Sequence, residues 1–65
     1  MGMQFRLTVT ANFSDGSEIS DIDVADPVLS DDIGDTALTA ASEARHALQL
    51  PPVDITSLVI IAVVA

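Results

Sequence analysis

The chain has no cysteine, no lysine, no tyrosine and no tryptophan, and it carries only two arginines, one histidine and two phenylalanines in 65 residues. The missing cysteine excludes disulfides and thiolate metal sites. That exclusion matters at this length. A domain of about 60 residues buries only about 60% of its unfolded surface, and small domains usually lean on disulfides, metals or oligomerisation. The scarcity of cations is as telling. Arg6 and Arg45 face ten carboxylates, giving a net charge of −8. Nucleic-acid backbones and anionic membranes repel such a surface, so neither is an expected partner. Basic protein surfaces and cations are.

Long apolar runs are missing too. The longest, Leu58 to Ala65, is far short of the roughly 20 residues that span a bilayer. The N-terminus lacks the basic-then-apolar order of a signal peptide. Met1-Gly2 begins a myristoylation pattern, but Arg6 stands where Ser or Thr is required. The expectation is a cytoplasmic protein, in which the Asn12-Phe13-Ser14 sequon stays unused. Hydrophobic residues nonetheless make up 49% of the chain, which argues for a folded domain over a disordered one. One domain, 1–65, is expected.

Met3 to Phe13 alternates without a fault: Met3, Phe5, Leu7, Val9, Ala11 and Phe13 are apolar and the residues between them polar. This period of two predicts a strand with one buried face. Ser14-Asp15-Gly16-Ser17 then reads as a hairpin turn. The second strand, about Glu18 to Ala25, is out of phase with itself, because Ile19 has one parity and Ile22 and Val24 the other. Either a bulge near Ser20-Asp21 brings all three to the core, or Ile19 faces out. Asp26-Pro27 ends the strand, and Pro27 to Asp32 reads as a connection.

A helix is predicted from about Ile33 or Asp35 to Gln49, capped by Asp32 or Asp35 and stopped by Leu50-Pro51-Pro52. Its apolar stripe is Ala37, Ala40, Ala41, Ala44, Ala47 and Leu48, with Thr39, Ser42, Glu43, His46 and Gln49 opposite. Asp54 to Ala65 reads as a last strand, apolar on both faces. Ile55, Val59, Ile61 and Val63 are assigned to the helix side, which leaves Leu58, Ile60, Ala62 and Val64 without a partner in the domain. The expected fold is therefore α+β, a ββαβ chain with a three-stranded antiparallel sheet in order 2-1-3 and one helix on one face.

The opening Met3-Gln4-Phe5 strand, the Ser14-Asp15-Gly16 turn, the Ser30-Asp31-Asp32-Ile33 helix entry and the Leu50-Pro51-Pro52-Val53-Asp54 loop together resemble the β-grasp layout of ubiquitin-like and small immunoglobulin-binding domains. The chain departs from that layout at its end, where further strands and a terminal Gly-Gly are missing. The resemblance implies an architecture and no activity.

No serine elbow, phosphate-binding glycine loop or zinc spacing occurs, and no catalytic, cofactor or metal site is expected. Glu43 and His46, one helical turn apart, are a remote metal or general-base candidate. Eight of the ten acids lie between Asp15 and Asp35. Of these, Asp15, Glu18, Asp21, Asp23, Asp26, Asp31 and Asp32 form the candidate surface for a basic partner, or a solvated edge that resists aggregation. Asp21-Ile22-Asp23 starts like a calcium loop, but Ala25 and Asp26 break the motif. Leu58, Ile60, Ala62 and Val64 are the candidate homo-oligomer interface. The functional expectation is a non-catalytic interaction or inhibitor module that self-associates and binds a basic protein. The alternative is a structural assembly component. Residue usage without lysine and rich in alanine, aspartate and valine fits a GC-rich bacterial or phage gene.

Overall fold

The computed structural model describes residues 2–65. The chain runs through β1 (Gln4–Phe13), β2 (Glu18–Asp23), β3 (Val28–Leu29), a single 3₁₀ turn at Ser30–Asp32, α1 (Ile33–Ala47) and β4 (Ile55–Val64). β1 is central. It pairs antiparallel with β2 over Thr8–Asn12, with β3 at Gln4 and Phe5, and with β4 over Phe5–Phe13. Phe5 and Thr8 each have β4 on one side, so β2 and β3 lie end to end along the opposite edge. The sheet thus has four strands, one more than the sequence predicts. The extra strand lies inside the expected connection. β2 leaves Gln4 and Phe5 without partners, and Val28-Leu29 supplies them once Asp26-Pro27 has turned the chain. Hairpin, single helix and closing strand beside β1 remain compatible with a β-grasp-like layout, in a sheet whose pairings are all antiparallel.

The hairpin closes as its sequence requires. Gly16 sits at φ 86°, a conformation that glycine alone adopts without strain, and its N–H donates to the Phe13 carbonyl at 3.0 Å. The phase error in β2 is a bulge: the register slips between Val9↔Ile22 and Ala11↔Ile19, and Asp21 takes a positive φ of 58°. Aspartate tolerates that region better than most residues. As a result Ile19, Ile22 and Val24 all pack on the core.

The helix lies on β1 through its smallest residues. Ala37 packs with Leu7 and Val9, Ala41 packs with Ala11 and Phe13, and all six are buried. Methyl groups bring the helix close, so the core is thin and tolerates little added volume. The stripe departs from expectation at its end. Ala47 and Leu48 are exposed, and Arg45 is buried in their place. α1 stops at Ala47, two residues early. Gln49 turns to φ 59°, while the Leu50 N–H donates to the Arg45 carbonyl and the Gln49 N–H to the His46 carbonyl. This is a Schellman closure made without glycine.

A second slip corrects the last strand. The β1–β4 register shifts between Asn12 and Phe13, which leaves Thr56 as an extra residue whose hydroxyl donates to the Asn12 carbonyl at 3.2 Å. Ile55 and Leu58, of opposite parity, therefore both pack on the core, and Ile60 follows Leu58. The sequence assignment anchored the phase on Ile55 and is inverted beyond it. Val59, Ile61 and Val63 are the residues facing out, each nearly 60% exposed. Ala62 and Val64 share the face of Leu58 and Ile60 but are exposed.

Candidate functional site

All ten acidic residues are exposed, and the fold sorts them into three groups. The first is Asp15, which is committed to the structure. Its carboxylate accepts from both the N–H and the hydroxyl of Ser17, and from Arg45 Nη2 at 2.9 Å. Arg45, 3% exposed, donates further to the Ser17 hydroxyl at 2.9 Å and, through Nε, to the Pro51 carbonyl at 2.6 Å. Its guanidinium lies 4.6 Å from the centre of the Phe13 ring, a cation–π distance. One side chain thus fastens the hairpin turn to the loop after the helix.

The Ser17 hydroxyl and N–H, with Arg45 behind them, pull the Asp15 pKa from 3.8 down to about 2. A depressed carboxylate contributes stability that is complete above its unfolded pKa and is lost as pH falls through the folded one. The protein is therefore expected to lose stability between about pH 4 and pH 2. Asp15→Asn should flatten that part of a stability-versus-pH curve measured by urea unfolding. A variant whose acid limb matches the wild type would show that Asp15 does not drive it.

The second group lines a groove of about 850 Å³ between α1 and the β2–β3 edge. Its floor is apolar: Ile22, Val24 and Val28 from the sheet side, Ala40 and Ala44 from the helix. Its rim is acidic: Asp32 at the helix entry, and Asp35 and Glu43 along the helix. Asp23 of β2 borders the groove with its carboxylate turned to the other face of the sheet, where it accepts from the Thr8 hydroxyl at 3.4 Å. Neither arginine is among the lining residues. Helical spacing builds one wall, since Asp35, Thr39 and Glu43 recur every four residues and share a face. That spacing was the available signal for Asp35 and Glu43, which the expected partner surface left out.

The third group comprises Glu18, Asp21, Asp26, Asp31 and Asp54, which are exposed and lie outside the groove lining. Of the seven residues expected to form one acidic surface, the groove gathers Asp23 and Asp32, and Arg45 takes Asp15. Glu43 and His46 face different hollows: Glu43 the groove, His46 a smaller one of about 130 Å³ beside Phe13, Leu50 and Val53. Among the described residues no group of three or more His, Asp or Glu side chains is placed to hold a metal ion, and no helix is long and apolar enough to cross a membrane.

The sequence carries a signal for Arg45 beyond the expected stripe, since residues 37, 41 and 45 follow one another at the spacing of a buried helical face. Leu58 and Ile60, expected at an exposed interface, are half-buried against the core. No known protein family, curated protein or solved structure matches this chain.

Proposed function

We propose that this protein is a non-catalytic interaction or inhibitor module, and that its α1–β2–β3 groove receives an amphipathic, basic segment of a partner protein. The observation that carries this reading is the composition of the groove, an apolar floor beside an acidic helix wall in a chain of net charge −8. An apolar stripe of a helix or strand gains from burial on Ile22, Val24 and Val28, at roughly 25 cal/mol per Å² covered. Lysine or arginine flanking that stripe meets Asp32, Asp35 and Glu43. The charges set association rate and selectivity, and the floor sets residence time.

The test uses a labelled synthetic helix with leucine on one face and lysine on the other, together with an analogue carrying glutamate for lysine. Anisotropy should show binding of the basic peptide alone, weakened as ionic strength rises from about 0.05 to 0.5 M. Asp35→Lys with Glu43→Lys should reduce affinity at least tenfold, whereas Asp54→Lys, outside the groove, should leave it unchanged. Equal binding of both peptides, or equal loss in the Asp54→Lys variant, would refute the groove as the site.

A further inference from the structure

We infer that the free edge of β4 is a self-pairing surface, on which β4 of a second copy docks antiparallel across a two-fold axis to make one continuous sheet. The direction of the edge groups follows from one hydrogen bond. The Ala65 N–H donates to the Gln4 carbonyl at 2.9 Å, and the β1–β4 register is constant from there to Ser57. Backbone groups alternate sides along a strand, so the N–H and C=O of Val59, Ile61 and Val63 turn toward β1. Those of Leu58, Ile60, Ala62 and Val64 turn to the opposite edge, where no strand lies among the described residues. These four were expected to associate through their side chains. The geometry assigns the role to their main chains.

Sheet edges are usually guarded by charge, proline, bulges or brevity. Residues 57–65 contain no charged side chain and no proline, the one irregularity of the strand lies at Thr56, and the strand is ten residues long. Charge selects the occupant. In a chain of net charge −8, a second copy can approach closely only along an uncharged surface, and the β4 edge is one while the β2–β3 edge carries Glu18, Asp21 and Asp23.

The edge also complements itself. With Ile61 on the axis, Ile60 pairs with Ala62 and Leu58 with Val64 of the second copy, making about eight backbone hydrogen bonds. On the helix side, exposed Ala62 and Val64 come beside half-buried Ile60 and Leu58 of the other chain and extend the thin core. On the outer face, Val59 meets Val63 and Ile61 meets itself. The pairing closes at two chains.

Two measurements test this. Light scattering after size exclusion, at micromolar to millimolar concentration, should give the mass of two chains at either ionic strength extreme. Residue-resolved hydrogen exchange should show the amides of Leu58, Ile60, Ala62 and Val64 protected, increasingly so with concentration, beside the constantly protected Val59, Ile61 and Val63. Ala62→Pro removes one edge N–H without touching the β1 ladder and should give single chains. Ile61→Lys is the control for face packing. A monomer throughout, a mass above two chains, fast exchange at the four edge amides, or an Ala62→Pro dimer that Ile61→Lys dissociates would each overturn the inference. The exchange measurement decides the case even if Ala62→Pro does not fold.

Discussion

Arg45→Ala is expected to remove about 3 kcal/mol of folding stability, a large share of the roughly 3–10 kcal/mol that a chain of this length commands. The effect does not come mainly from the ion pair with Asp15, whose side chain is 42% exposed and whose attraction water screens. It comes from the buried side of the guanidinium. The Pro51 carbonyl loses a charged donor at 2.6 Å, and hydrogen bonds to charged groups contribute about 1.5–3 kcal/mol. Phe13 loses the cation stacked on its ring, an interaction of about 1 kcal/mol or more. The alkyl stem leaves a gap beside a ring that is itself 3% exposed. Lysine restores the charge but not the fork that reaches Pro51, Ser17 and Asp15 at once, so Arg45→Lys should recover less than half of the loss. Urea unfolding would show the alanine variant with its midpoint reduced by a third or more at unchanged slope. A loss below about 1 kcal/mol would mean that the hairpin and the post-helix loop hold their places without Arg45.

Ala41→Leu is expected to cost a similar amount for the opposite reason. Ala41 is fully buried against Ala11 and Phe13, and the helix sits as near to β1 as a methyl group allows. Three further carbons have nowhere to go except by lifting α1, and overpacking of this kind costs about 1–3 kcal/mol. The upper end applies here, because Ala37 one turn earlier shares the same close seat and would be unseated with it. In a domain of 60–100 residues that corresponds to a melting temperature lower by more than about 10 °C. Ala47→Leu, on an exposed position of the same helix, should move it by little. A small shift at Ala41 would show that the helix has room to slide.

Much of this architecture is written locally in the chain. The alternation of Met3 to Phe13 sets the central strand, Asp15-Gly16 sets the turn, and Leu50-Pro51-Pro52 ends the helix zone, because each rests on steric rules that act within a few residues. The bulge at Ser20-Asp21 was legible as one of two options, and the positive φ of Asp21 decides it. What could not be read depends on partners distant in sequence. The slip at Thr56 arises where β4 meets the hairpin corner at Phe13, and no pattern within Asp54 to Ala65 announces it, so the facing of the strand came out inverted. β3 is two residues long and exists because β2 ends short of Phe5. The groove needs Ile22 and Val28 from the sheet and Glu43 from the helix, which only the folded chain brings to one hollow. Arg45 is buried because Asp15, Ser17 and Pro51, each distant from it in sequence or fixed only by the loop after the helix, satisfy its guanidinium there.

The pairing of Phe5 with Val64 has a consequence for how the molecule folds. β1, the strand that every other strand borders, precedes β4 in the chain by the whole length of β2, β3 and the helix. Until β4 arrives β1 has neighbours on one edge only, and its closing contacts span nearly the whole chain, the arrangement that makes folding slow. The hairpin and helix can form before β4 docks, but the native sheet is completed only when it does. In that interval two unclosed chains each hold an unfilled place beside β1 that fits β4 of either, so exchange of β4 between chains competes with correct closure.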